Sequence, residues 1–397
     1  MAERYEILVL NQISQVGLKR FPAETYAVTQ EATNPDAILV RSADLHAMAI
    51  AGSVKAVGRA GAGTNNIPVP AFSTRGAPVF NAPGANANAV KELVLAAMLL
   101  AARNLVPAIQ FVGGLKGDDA TVSRRIEDEK ARFAGVELPG HTLGVIGLGK
   151  IGSLVADAAI RLGMNVLGYD PEITVDAAWS LPSQVKKAHA IDDVLKGSHF
   201  VTLHVPLLAA TRGLINGRNL AQARAGLILL NFSREGIVDD TAVLEALNAH
   251  RLKAYVTDFP TALLAGHPAV VGLPHLGAST REAEDNCAVM VVDQLREYLE
   301  HGNITNAVNF PDVVMLRESP YRVAIANANV PNMVGQISTA MAHAGLNIHN
   351  MQNRSKGEMA YTLVDVDSRV PPDVIETIRR IDGVLAIRYL PLEGRAP

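Results

Sequence analysis

The chain has 397 residues, enough for two or three domains, and its 36 Lys and Arg against 39 Asp and Glu leave a net charge of −3. No basic tract is present to bind nucleic acid or anionic lipid, so neither partner is expected. The single cysteine, Cys287, excludes a disulfide framework and a thiolate zinc cluster, and no metal site is expected.

Met1-Ala2-Glu3-Arg4-Tyr5-Glu6 lacks the apolar core of a signal peptide. The apolar run 93–102, bracketed by Lys91, Glu92 and Arg103, is too short to span a bilayer. A cytoplasmic protein without a membrane partner is the expectation. Short apolar runs at 7–10, 37–40, 54–60 and 79–81, separated by helical or turn stretches, predict a small open α/β unit. In its loop 60–64 the glycines bare backbone N–H groups on which a carboxylate can dock. The charge run 124–130 alternates in sign at helical spacing and reads as a solvated helix face.

Residues 143–152, Leu-Gly-Val-Ile-Gly-Leu-Gly-Lys-Ile-Gly, predict a strand, a glycine turn and a helix over 151–162, followed by a second strand that ends at Asp170. Gly147 permits the turn, Gly149 clears room for a pyrophosphate, and Gly152 lets the helix pack closely on the sheet. The free N–H groups at the helix start face the anion. Asp170 is placed to accept from a ribose hydroxyl pair and to repel a 2′-phosphate. NAD is therefore the expected cofactor, ahead of NADP. Further strands at 200–204, 227–232, 255–257 and 270–273, with a helix at 241–249, continue a doubly wound parallel sheet. Helix 278–301 follows, closed by Gly302, and 303–319 reads as a linker. The remainder alternates as strand 323–327, helix 334–344, strands 348–354 and 361–366, helix 373–381 and strand 384–389. This is a ferredoxin-like β-α-β-β-α-β unit with one buried face per strand.

Five segments together resemble the D-2-hydroxyacid dehydrogenases, specifically the short D-3-phosphoglycerate dehydrogenases with one C-terminal ACT domain. They are Gly58-Arg59-Ala60-Gly61-Ala62-Gly63-Thr64-Asn65-Asn66-Ile67, the glycine turn, Leu203-His204-Val205-Pro206-Leu207, Asn231-Phe232-Ser233-Arg234, and Pro274-His275-Leu276-Gly277-Ala278-Ser279-Thr280. The resemblance implies two doubly wound parallel-sheet domains and a ferredoxin-like ACT domain. The substrate domain spans 1–90 and 280–310, the Rossmann NAD domain 91–279 and the ACT domain 320–397, with the active site in the cleft of the first two.

It also implies roles. Arg234 grips the substrate carboxylate with two parallel N–H bonds, and His275 exchanges the hydroxyl proton. The cofactor runs along Gly147, Gly149, Lys150, Ile151, Gly152 and Asp170. His204, Val205 and Pro206 wall the adenine side. Phe232, Ser233, Arg234, His275, Gly277 and Ala278 are also in contact, with Asp258 at the nicotinamide end. Arg41 and Ser42 resemble the residues that hold the substrate phosphate, Arg59 competes for that role, and Ala62 and Gly63 belong to the substrate loop. Asn329 and Asn347 resemble asparagines that bind serine as an effector between ACT domains, in a homodimer or homotetramer.

One position departs from the pattern. The family places a glutamate, partner of the catalytic histidine, where this chain has Leu263, and no carboxylate follows within several residues. The activity implied is NAD-dependent oxidation of D-3-phosphoglycerate to 3-phosphohydroxypyruvate, the first step of serine synthesis. Glyoxylate or hydroxypyruvate reduction is the alternative enzyme. A non-catalytic NAD-sensing protein is the alternative the missing glutamate raises.

Overall fold

The computed structural model describes residues 4–392. Met1, Ala2 and Glu3, on which the no-leader expectation partly rests, and the last five residues of the expected 320–397 domain lie outside the described residues. The chain divides into two compact units, one formed by residues up to Asn86 and from Arg281 onward, the other by Ala87–Thr280.

In the first unit, β1 (Tyr5–Leu10), β2 (Tyr26–Thr29), β3 (Ala37–Val40), β4 (Ala56–Arg59) and β5 (Val79–Phe80) form a parallel sheet in the order β2-β1-β3-β4-β5. All four residues of β3 are buried, as expected for a strand covered on both faces of a parallel sheet. Ile7, Leu39 and Phe80 pack under the helix Arg281–His301, while Leu8, Ile38 and Val57 pack with Phe72 on the opposite face. The edge strand β2 escapes the sequence reading because only Tyr26 in it is buried.

The second unit is a seven-stranded parallel sheet of β6 (Thr142–Ile146), β7 (Asn165–Tyr169), β8 (Val185–Lys187), β9 (Phe200–Leu203), β10 (Leu227–Asn231), β11 (Leu252–Thr257) and β12 (Val270–Gly272). Its order is β12-β11-β10-β9-β6-β7-β8, so the direction of winding reverses between β6 and β9. Leu143, Val145 and Leu230 bury one face under the helices Ala87–Ala102 and Lys150–Arg161. Ile146, Leu203 and Leu229 bury the other with the helix Asp240–Asn248.

The first unit also holds β13 (Tyr321–Ala328), β14 (Ile348–Lys356), β15 (Met359–Val366) and β16 (Val384–Pro391), antiparallel in the order β14-β15-β13-β16. This is the expected ferredoxin-like topology, but the expectation of one buried face per strand fails. Val323, Ile325 and Val364 face the helices Met333–His343 and Pro372–Arg379. Ala324, Ala326, Tyr361 and Leu363 face Tyr298, Leu299 and Phe310. Small alanines on that second face hide its burial from a hydropathy pattern. The Arg388 guanidinium lies 4.6 Å from the Tyr298 ring centroid and donates to the Tyr298 and Leu299 carbonyls at 3.0 and 2.8 Å. The linker reading of 303–319 is corrected as well. Ile304, Ala307, Phe310, Val313 and Met315 are buried, and Ile304 bridges Val313, so the segment is packed although it lacks periodicity.

Among the described residues no single helix is long and apolar enough to cross a membrane, and no group of His, Cys, Asp and Glu is arranged to hold a metal.

Candidate active site

The glycine turn lies at the reversal point of the second sheet. Gly147 has φ +91°, and a Cβ there would lie 2.5 Å from the His204 carbonyl oxygen. A Cβ on Gly152 would lie 1.9 Å from the Gly147 carbonyl oxygen, so the helix can approach the turn only with glycine at this position. Gly149 is different: a Cβ there meets nothing within 4 Å. The first two glycines are required by the chain itself, and the third leaves open space at the start of a 12-residue helix. The N–H groups of Gly149, Lys150 and Ile151 have no partner among the described residues, which suits an anion. These residues fit a dinucleotide pyrophosphate. The helix begins at Lys150, one residue earlier than expected.

Asp170 has a task that the sequence does not reveal. Its Oδ2 accepts from the Leu148 N–H at 2.8 Å and its Oδ1 from the Glu172 N–H at 3.0 Å. The carboxylate braces the turn, and each oxygen keeps a further lone pair for a ribose hydroxyl. His204 Nε2 lies 3.0 Å from Thr202 Oγ1, while its Nδ1 is buried without a partner. Burial pushes the His204 pKa down to about 3, so the ring is neutral and unsuited to acid–base work near neutral pH. Val205 packs against Gly147, and the Pro206 carbonyl accepts from Thr211 at 2.6 Å.

At the ends of β10, β11 and β12, short loops carry the remaining candidates. Phe232 and Ser233 are buried, and the Ser233 hydroxyl donates to the Leu203 carbonyl, tying β10 to β9. Asn231 accepts from the Ser233 N–H at 3.1 Å and donates to the Arg234 carbonyl at 3.1 Å, shaping the turn that presents Arg234. The Arg234 side chain is half-buried, and its Nη1 donates to the Ser233 carbonyl at 2.6 Å. Asp258 is 2% exposed, with Oδ1 accepting from the Leu276 N–H at 2.9 Å and Oδ2 from the Gly277 N–H at 2.8 Å. Sequence reasoning gave Asp258 to the cofactor. Both oxygens of Asp258 accept from the loop after His275, and each keeps a further lone pair. Gly277 is buried against it, where a Cβ would meet Asp258 Oδ2 at 3.2 Å, and Ala278 is half-buried beside it.

His275 is exposed, in a left-handed conformation at φ +55°, with its ring 4.8 Å from that of Phe259. Among the described residues no carboxylate pairs with the ring, and Leu263 is 50% exposed. Glu235 is also exposed.

In the first unit Arg41 and Ser42 follow β3, where the strand order turns between β1 and β3. They line a cavity of about 630 Å³ together with Asn11, Gln12 and Gln30. Arg59, expected as the competing phosphate ligand, donates from Nε to the Arg41 carbonyl at 3.1 Å. The N–H groups of Ala62 and Gly63 have no partner among the described residues, and the Ala62 carbonyl accepts from Asn81 at 2.5 Å. Asn81, Asn66 and Glu284 went unnoticed in the sequence because their partners lie far along the chain.

Asn329 and Asn347 are not brought together. Asn329 follows Ala328, opposite Met359, whereas Asn347 precedes Ile348, level with Val366 and Tyr321. That separates them by about 24 Å at the usual strand rise. Both are exposed, Asn329 donating to the Gly357 carbonyl at 3.1 Å and the Asn347 N–H to Asp367 at 3.2 Å.

The model of the D-isomer specific 2-hydroxyacid dehydrogenase NAD binding domain matches residues 95–277. D-3-phosphoglycerate dehydrogenase of Haemophilus influenzae is 32% identical over 340 residues, covering 83% of this chain and 79% of its own. That of Methanocaldococcus jannaschii is 38% identical over 266 residues, 66% of this chain, and the match spans about half of its length, 48%. The solved structure of NAD+-bound 3-phosphoglycerate dehydrogenase from Entamoeba histolytica shares the fold, with a TM-score of 0.60 and 23% identity, covering 77% of this chain and 99% of that one. The chain belongs to the D-isomer specific 2-hydroxyacid dehydrogenase family, and its second unit is an NAD-binding domain.

Proposed function

We propose that the protein oxidises D-3-phosphoglycerate to 3-phosphohydroxypyruvate with NAD, opening L-serine synthesis. Bound NAD supplies the hydride acceptor. Arg234 is the carboxylate ligand of the second unit, and the bare N–H groups of Ala62 and Gly63 are that of the first. His275 takes the hydroxyl proton in oxidation and returns it in reduction. The single observation that carries this reading is an unpaired imidazole fixed in position: Asp258 pins the two residues after His275 through both carboxylate oxygens, and Phe259 packs on its ring. Arg41 and Ser42 take the phosphate end. The domain division at residues 1–90 with 280–310, 91–279 and 320–397 belongs to the same proposal.

We also propose that L-serine acts through the C-terminal sheet of a homo-oligomer. Because Asn329 and Asn347 lie at opposite ends of that sheet, one effector site takes one asparagine from each of two copies.

The test is NADH oxidation with 3-phosphohydroxypyruvate, glyoxylate and hydroxypyruvate side by side. Turnover fastest with the phosphorylated acid supports the proposal. Preference for glyoxylate or hydroxypyruvate supports the reductase reading, which the pairing of Arg41 with Glu284 favours. No turnover with any of them leaves an NAD-sensing protein, the reading that Leu263 favours.

A further inference from the structure

The loop carrying Arg41 is fixed on every side by side chains from other elements. The Arg41 carbonyl accepts from Arg59 Nε at 3.1 Å and from Asn66 Nδ2 at 3.3 Å. Asn66 Nδ2 also donates to the Ala43 carbonyl at 2.7 Å, and the Ala43 N–H donates to Asn11 Oδ1 at 2.5 Å. The backbone that carries Arg41 is thus held at the cavity, and among the described residues Arg41 is the one charged residue of its lining. Its charge is not free. Arg41 Nη2 lies 2.6 Å from Glu284 Oε1, on the first turn of the helix Arg281–His301, where the helix dipole favours a negative group. Both side chains stay more than a third exposed, so an incoming anion can reach the pair.

We propose that Glu284 is a specificity-determining residue that blunts the preference of this cavity for a phosphorylated substrate; the proposal rests on the reading of Arg41 and Ser42 as the phosphate end. A phosphate dianion arriving at Arg41 has two options. It displaces the carboxylate, or it shares the guanidinium with a second anion on the neighbouring edge. Either way the neutralised cation offers it less than a free arginine does, and the like charge of Glu284 opposes it. A substrate whose far end is a hydroxyl meets no such opposition. It needs only neutral partners, and Asn11, Gln12, Gln30 and Ser42 supply donors and acceptors in the same cavity. The repulsive element works on the difference between the two substrates rather than on either one alone.

The opposite sign is the rival: if Glu284 serves to aim Arg41 at the phosphate, its removal weakens phosphate binding. Glu284→Gln separates the two, because it keeps the shape and a hydrogen-bond acceptor but removes the charge. The ratio of kcat/KM for 3-phosphohydroxypyruvate to that for hydroxypyruvate is expected to rise about tenfold, through a lower KM for the phosphorylated acid. An Arg41→Ala background should abolish that gain. Binding of inorganic phosphate to the full-length protein, followed by calorimetry, is expected to tighten with Glu284→Gln, and this readout needs no turnover. Thermal melting checks folding, and Glu284→Ala repeats the test if the glutamine variant folds poorly. An unchanged or lower ratio, with phosphate binding unchanged or weaker, overturns the proposal. A wild-type chain inactive on both keto acids overturns the dehydrogenase reading instead, and the phosphate titration still decides the role of Glu284.

Discussion

The molecule has two places where its sequence and fold suit a phosphate, and they are built on opposite principles. Both lie at the carboxyl ends of parallel strands where the strand order reverses, β6 and β9 in the second unit, β1 and β3 in the first. The glycine turn offers backbone N–H groups and open space at Gly149, with no cationic side chain required. The Arg41 loop offers a guanidinium, and the chain supplies its own carboxylate to meet it. A site made of backbone has its charge distribution fixed by the fold, so only a steric change abolishes it. A site made of one side chain is adjusted by any neighbour that gains or loses a charge. The first suits an invariant pyrophosphate, the second a substrate end that varies.

The sharpest way to break the comparison is steric. Gly152→Val drives side-chain atoms into the Gly147 carbonyl, already 1.9 Å from a Cβ, and is expected to lower NADH affinity at least about a hundredfold or to prevent folding. Gly149→Ala is the informative counterpart. Its Cβ meets no atom of the chain, so the melting temperature should stay within about 2 °C of wild type while NADH affinity falls about tenfold. NADH fluorescence titration beside thermal melting reads both. Normal NADH binding by Gly149→Ala would show that the pyrophosphate lies elsewhere.

Removing the guanidinium should cost less than blocking the turn, because Arg41 is already half answered by Glu284. Arg41→Ala is expected to raise the KM for 3-phosphohydroxypyruvate about thirtyfold, within the range for a charged hydrogen-bonding group. A loss as large as that of Gly152→Val would mean the ion pair leaves the arginine undiminished.

The two sites also differ in how much of them the sequence reveals. The glycine spacing declares itself within ten residues, because strand, turn and helix must follow one another in the chain for the site to exist. Asp170 was visible for the same reason, although its bonds to the Leu148 and Glu172 N–H groups were not. Arg41 was legible only through the resemblance, and Glu284, 243 residues further on, was not legible at all. The same logic applies to Asp258: the resemblance pointed to it, but its amide partners at 276 and 277, set by how β11 and β12 pair, were not legible. The four-stranded sheet was read in the right order of elements, yet its second buried face depends on Tyr298 and Phe310, which no local periodicity reports.

Asp170 sharpens the comparison from the cofactor side. It is the one acidic side chain the sequence assigned to the glycine-turn site, and it excludes rather than attracts a phosphate. Asp170→Ala is expected to narrow the preference for NAD over NADP about tenfold, measured as the ratio of kcat/KM for the two cofactors. Because the carboxylate also braces Leu148, affinity for NAD itself should fall by a few-fold. Equal use of both cofactors by the unaltered protein would remove Asp170 from the ribose site.

The smallest effect expected belongs to the residue that closes the glycine turn from below. The Gly147 backbone packs on the His204 carbonyl, and the half-buried imidazole has its Nδ1 buried without a partner and a pKa of about 3. In the unfolded chain a histidine binds its proton near pH 6.5. Between those two values the unfolded state holds a proton that the folded state does not, so stability falls as the pH is lowered through that window. At pH 5 the loss is up to about 2 kcal/mol, which in a chain of this size lowers the melting temperature by a few degrees. His204→Gln removes the titrating group while keeping a partner for Thr202. The variant should therefore lose less melting temperature than wild type between pH 7.5 and pH 5. Parallel slopes in the two proteins would mean that the ring reaches water or acquires a partner, and that the floor of the turn is not sealed.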